Sequence, residues 1–454
     1  MLAAALLLHP LLLLNPGFFS HDEWERLDHI RRAGWWDYAR RYAEVHPGPD
    51  FGHPVRPIGF LQQGLWALLM ERSPQAVHGL DLLMHGGVAA ALMLALAQLG
   101  APRGLALGTG LAFVASPLAT AATGWVGASF DRWFTFFAIL AAAAAWRIMA
   151  AGLDARRGAA LLLCSAGAIL SKEAAAALPL ALMLAIAAQR ALAPAPGGFS
   201  WRRAAAVLAL GALPVAAYLL ARLPAIEATL AGRTGAGYYA PGGRFLDRNL
   251  SGYWAFPFLP HLTDFPRQSR LGLPAFLAAG LLHAGLLALA GRWFGWRVVP
   301  LYLVAYFVFL LPVLSLPEPA AHYLYAAAAP LALLLAALGR EAWRRRGAAL
   351  AALGLAATLM LANQALIQWR IFRGGACQAV VLPALEAGLA AAAGAPSLTL
   401  RFAADAPDWV VRRAIFGRPA FDGSEGRPPV QLSLDGSAEA GSLVLEMGRD
   451  CRLR

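Results

Sequence analysis

Six small clusters of polar and charged residues interrupt an otherwise apolar chain. The first is His21-Asp22-Glu23. A carboxylate placed at a membrane face can strip the proton from an acceptor hydroxyl. The adjacent pair could also hold a divalent cation through oxygen ligands, and Ser20 with Glu23 fits a helix capping box. The second cluster is His53-Pro54-Val55-Arg56-Pro57. Pro57 biases Arg56 toward an extended conformation, and a guanidinium suits bidentate phosphate binding. A lipid-headgroup contact is the other reading of Arg56. The third cluster, His78, Asp81 and His85, has the spacing of a single helix face. Such residues inside an apolar helix need partners or a water-filled cavity. Hydrogen bonding between helices would meet that need, and no fourth ligand for a zinc site is evident.

The fourth cluster is Asp131-Arg132, the fifth Ser171-Lys172-Glu173, and the sixth Glu318, His322, Tyr323 and Tyr325. Lys172 is the only lysine among 38 basic residues; the rest are arginine. Arginine already serves solubility and topology, so a lysine beside a carboxylate between two apolar runs reads first as part of a site.

The elements that must position these clusters are membrane helices. The chain has 454 residues, of which 59% are hydrophobic and 14% charged. Long uncharged runs of this kind are spans. With no water in the bilayer, the spans must be helices, which satisfy their own backbone groups. Eleven apolar segments are predicted: about 2–19, 76–99, 104–122, 130–150, 158–171, 174–189, 204–222, 272–291, 298–315, 320–338 and 347–366. The first lacks a basic leader and a cleavage site, so it is expected to be retained. Segment 58–70 is too short to span and carries Gln62 and Gln63, so it is expected to lie at the interface, as is an amphipathic helix over 21–42.

Arginines cluster in the short linkers after the even-numbered spans: Arg103; Arg156 and Arg157; Arg190, Arg202 and Arg203; Arg292 and Arg297; and Arg340, Arg344, Arg345 and Arg346. That pattern puts those linkers and the N-terminus in the cytoplasm. It brings all six polar clusters to the other face. The net charge of +12 is then a topology and phospholipid signal, not a nucleic-acid footprint. Residues 372–454 form the second expected unit. Alternating stretches at 395–403 and 429–446 and a helix at 380–393 suggest a small extracytoplasmic α/β domain behind a membrane domain of residues 1–371. Cys377 and Cys451 bracket it and could form a disulfide there, while Cys164 lies within a span.

The order of these motifs resembles the GT-C glycosyltransferases, polytopic membrane enzymes that use polyprenyl-phosphate-linked sugars. It is most similar to the membrane part of the protein O-mannosyltransferase-like, tetratricopeptide-linked group. Asp22-Glu23 matches that group's acidic pair after the first span. Arg56-Pro57, with His53 nearby, resembles its His-x-x-x-Arg-Pro element. His78, Asp81 and His85 look like its two-histidine helix. Ser116-Pro117, Gly127, Asp131 and Arg132 are similar to the next segment, which has His where this chain has Ser116. Leu170-Ser171-Lys172-Glu173 matches in full. His322-Tyr323-Leu324-Tyr325 resembles an Arg-x-Leu-Tyr element. The likeness covers roughly residues 10–340, and tetratricopeptide repeats are absent.

The resemblance implies an all-α membrane fold of the GT-C kind in the bacterial inner membrane. It implies a donor of the polyprenyl-phosphate sugar class and a glycan, lipid or protein acceptor with a free hydroxyl on the periplasmic side. Asp22 would be the base, with Glu23 supporting it or a metal. Lys172, Arg56 and Arg132 would hold the donor phosphate. Glu173, His53, His78, Asp81, His85, Asp131, His322, Tyr323 and Tyr325 would complete the cleft. A transporter or flippase for lipid-linked or polar solutes would use similar buried charges.

Overall fold

The computed structural model describes residues 1–17, 29–43, 56–70, 73–192, 199–230, 243–259, 272–317, 320–391, 397–403, 431–433, 443–448 and 450–453. Asp22, Glu23, His53 and Glu318 lie outside these residues. Among the described residues the architecture is that of an all-α polytopic membrane protein. Six helices are long and apolar enough to cross a bilayer: Pro74–Gln98, Val126–Ala151, Glu173–Leu192, Trp201–Ala221, Gly272–Phe294 and Ala348–Gly388. Arg103–Val114 and Pro117–Gly124 make a seventh if that pair, bent by 52°, is one span. The bend has a local cause. Pro117 offers no N–H, and Ser116 before it is extended (φ −77°, ψ 127°).

The eleven apolar segments therefore do not map one to one onto long helices. Segment 2–19 breaks at His9-Pro10 into Leu2–Leu8 and Pro10–Leu13. Segment 158–171 forms Ala155–Ser171, about 25 Å long at 1.5 Å per residue, against a hydrocarbon core of about 30 Å. Segment 298–315 becomes the Val298–Phe307 helix followed by a 3₁₀ turn at Leu311–Val313. Segment 320–338 splits into a 3₁₀ turn at Ala321–Leu324 and the helix Ala328–Arg345.

The helices pack around two main cores. One gathers Leu82, Phe113, Leu118, Tyr306, Tyr325 and Leu331 between the Pro74–Gln98, Arg103–Val114, Val298–Phe307 and Ala328–Arg345 helices. The other gathers Phe134, Ile148, Leu161, Leu182 and Val207 from the helices between 129 and 221. Outward-facing leucines such as Leu163 (68% exposed), Leu220 (70%) and Leu281 (71%) present an apolar surface that suits lipid rather than water. A smaller cluster seats the Trp35–Ala43 helix on Pro57–Met70 through Tyr38 and Phe60. Tyr38 donates to the Phe60 carbonyl at 2.9 Å.

The last long helix, Ala348–Ala391, has 44 residues. It absorbs both the predicted span at 347–366 and the predicted tail helix at 380–393. The expected domain boundary at 372 falls inside it. Within it, Gly375 permits a close approach: a Cβ there would overlap the Asn15 side chain. Beyond the helix, three parallel strands pair in the order β2-β1-β3, with β1 at Ser397–Phe402, β2 at Gln431–Ser433 and β3 at Leu443–Met447. A disulfide joins Cys377 of the long helix to Cys451 after β3.

Candidate functional site

Among the described residues, charged side chains from several helices meet through ion pairs. Asp81 lies in the first turns of Pro74–Gln98 and Asp131 in the first turn of Ser129–Ala151. Lys172 follows the last residue of Ala155–Ser171, and Glu173 opens the next element. Arg103 follows the Pro74–Gln98 helix at the end away from Asp81, and Arg156 and Arg157 open the Ala155–Ser171 helix at the end away from Lys172.

Three cations and three carboxylates pair off here. Lys172 Nζ lies 2.5 Å from Asp131 Oδ1, and both side chains are nearly buried. Arg132 lies 2.8 Å from Asp81, both wholly buried. Arg56 donates from Nε to Glu173 Oε2 at 2.6 Å and from Nη2 to the other carboxylate oxygen.

Local geometry explains why neighbours in sequence part company. Consecutive helical residues point about 100° apart, so Asp131 faces Lys172 while Arg132 turns to Asp81 and to the Ala122 carbonyl. Lys172 is extended (φ −158°, ψ 138°) between the Ala155–Ser171 helix and a 3₁₀ turn at Glu173–Ala177. That break sends Lys172 toward Asp131 and Glu173 toward Arg56. Glu173 is thus the direct partner of Arg56 and not of its neighbour Lys172.

Arg56 is placed by the helix it precedes. Pro57 opens that helix, where a missing N–H costs nothing. At Gly59 the helix presses on Phe130, leaving no room for a Cβ. The Arg56 guanidinium lies over the Phe130 ring at 4.9 Å.

Asp81 also accepts from Trp66 Nε1 at 2.9 Å and from Gln62 Nε2 at 3.2 Å. Trp133 Nε1 donates to Gln62 Oε1 at 2.5 Å. Gln63 donates to the Gly127 carbonyl at 3.0 Å and to Ser129 Oγ at 3.1 Å. Of the two glutamines that look out of place in segment 58–70, Gln62 therefore ties that helix to Asp81 and Gln63 ties it to the start of the Ser129–Ala151 helix. Arg132, expected to hold phosphate, is 0% exposed and turned inward. It braces Asp81 and the bent Pro117–Gly124 helix, while Arg56 keeps a 19% exposed side chain.

The histidines divide. His78 Nε2 donates to the Gly17 carbonyl at 2.8 Å. His85 lies deeper, with Nε2 3.4 Å from the Val114 carbonyl and Nδ1 accepting from Tyr325 O–H at 2.8 Å. His322 stands edge-on to Trp125, ring centroids 4.6 Å apart. Tyr323 offers its face to Lys172 Nζ at 4.7 Å. Burial lowers the basicity of Lys172 below the ordinary lysine range, against the pull of Asp131. Burial likewise drives His322 well below the ordinary histidine range, and the Lys172 and Arg56 cations add to it, so the ring is neutral near pH 7. Burial opposes the charge on Arg56, but Glu173, joined by Asp131 and Tyr323, leaves the group above its ordinary range.

Two buried polar groups escape the sequence reading. His9 donates from Nδ1 to the Ala5 carbonyl and accepts at Nε2 from Gln364. Gln364 and Gln368 also reach the Leu8 carbonyl. Elsewhere, His283 stacks on Trp254 and bonds Tyr302 at 2.6 Å. The available signal was polar residues set in apolar helices. Among the described residues no group of three or more His, Cys, Asp or Glu side chains is arranged to hold a metal ion. No protein-family model, curated protein or solved structure matches this chain.

Proposed function

We propose that the chain is an inverting glycosyltransferase of the bacterial inner membrane that takes a sugar from a polyprenyl-phosphate donor. The observation that carries this reading is the pair of unequal cations in this cluster: Arg56, partly open, and Lys172, buried against Asp131. A lipid phosphate arriving at the interface would meet both, its tail between helices. The resemblance to GT-C enzymes, carried above all by Leu170-Ser171-Lys172-Glu173, supports the same reading. Asp22 would remove the acceptor's hydroxyl proton. The acceptor oxygen would then attack the anomeric carbon, and the bond to the phosphate oxygen would break with its electron pair. Arg56 and Lys172 would stabilise the departing polyprenyl phosphate.

The shorter apolar helices would complete a transmembrane bundle of about eleven segments. The arginine-bearing linkers would face the cytoplasm, with the site and the strand-containing tail in the periplasm. A disulfide between Cys377 and Cys451 suits that oxidising side.

The test is transfer by the purified chain from a panel of radiolabelled polyprenyl-phosphate hexoses. The reading expects a labelled product with at least one donor, abolished in Asp22→Ala. Absence of product from every donor, together with uptake of labelled lipid phosphate across proteoliposomes, would favour a transporter or flippase instead.

A further inference from the structure

We propose that Glu173 is a built-in competitor for the phosphate that Arg56 binds, so that a ligand must displace it to occupy the site. The inference rests on the reading of this cluster as a phosphate site. Arg56 already uses Nε and Nη2 on the two oxygens of Glu173. This paired-donor geometry is the one a guanidinium offers equally to a carboxylate or a phosphate. A phosphate can take that edge of Arg56 only if Glu173 leaves it.

The two cation–carboxylate pairs differ in how readily they can open. Lys172 and Asp131 have side chains 5% and 6% exposed, with Tyr323 against the ammonium. Glu173 is 46% exposed, against 19% for Arg56. It heads a 3₁₀ turn whose other members are all alanine, Ala174–Ala177. Water can therefore take over its carboxylate when it swings away, whereas Asp131 has no such outlet. Arginine cannot shed its charge, so the empty site needs an internal anion, and Glu173 supplies one that can be exchanged. The ligand class is a phosphate ester able to offer two oxygens in one plane. A dianionic phosphomonoester compensates Arg56 more fully than a monoanionic diester and should displace Glu173 more readily. Glu173 therefore sets the phosphate affinity of the site through Arg56, as a positioning residue.

The experiment measures binding of farnesyl phosphate to the full chain in nanodiscs. Glu173→Gln and Glu173→Ala are expected to bind on the order of tenfold more tightly than the wild type. Glu173→Asp should stay near the wild type, and Arg56→Gln should lose binding. Arg56→Gln combined with Glu173→Gln should be no tighter than Arg56→Gln. A general loss of structure weakens binding, so a gain marks competition. If the Glu173 variants bind no more tightly while Arg56→Gln binds more weakly, the competitor role is wrong and the phosphate site stands. If Arg56→Gln binds like the wild type, the phosphate-site reading itself fails.

Discussion

Lys172 Nζ meets Asp131 Oδ1 at 2.5 Å, joining the break after one helix to the first turn of another 41 residues away in sequence. Both side chains are almost wholly removed from solvent. The chain's single lysine is thus held as a fixed cation, with its ammonium over Tyr323.

Breaking this pair from one side should be expensive. Asp131→Ala or Lys172→Ala leaves a buried charge uncompensated and should cost about 3–5 kcal/mol. Replacing both with apolar residues, Lys172→Met with Asp131→Leu, should cost much less than the sum of the single changes. Thermal unfolding in detergent gives the comparison. Additive losses would mean that the two side chains do not act as a pair.

Arg132 makes a different prediction from Arg56. It is buried against Asp81 and the Ala122 carbonyl, so Arg132→Met should destabilise the fold by about 3–5 kcal/mol. Arg56→Gln removes a partly exposed group and should cost under about 1–2 kcal/mol. Melting temperatures of the two variants measured side by side check the order.

His322 gives a pH dependence of defined sign. Its folded form resists protonation, first through burial and then through Lys172 and Arg56. The unfolded chain therefore binds a proton more readily below about pH 6.5. The stability that His322 contributes is complete above that pH and is lost as pH falls, by up to about 1.4 kcal/mol per pH unit. His322→Phe should flatten the low-pH fall in melting temperature relative to the wild type. An unchanged profile would show that His322 is not held neutral.

The disulfide ties residues 74 apart, which by loop entropy corresponds to about 4 kcal/mol against the unfolded tail. Cys451→Ser should make the segment after residue 391 sensitive to limited proteolysis while the helical bundle stays protected. Equal protease resistance in both forms would contradict a stapling role.

What the sequence revealed follows from helix geometry. The placement of Asp81, Asp131 and Lys172 toward the ends of their helices could be read from where each sits in its apolar run. The partners could not, because pairing depends on which helices are neighbours. Nothing local says that Glu173 turns from Lys172 to Arg56; the extended Lys172 and the 3₁₀ turn decide it. Segment lengths misled where proline or a 3₁₀ turn cut an apolar run, as at His9-Pro10 and Ala321–Leu324. Asp22, Glu23 and His53 lie outside the described residues, so their place relative to Lys172 rests on the sequence.

The claim that Arg56 and Lys172 hold the donor's phosphate is tested most directly by steady-state transfer kinetics with a polyprenyl-phosphate sugar. Lys172→Gln and Arg56→Gln, each confirmed as folded by gel filtration, should each lose at least about 100-fold in kcat/KM for the donor, the scale of removing one transition-state donor. The KM for the acceptor should not change. Wild-type kcat/KM for the donor in either folded variant would contradict the account.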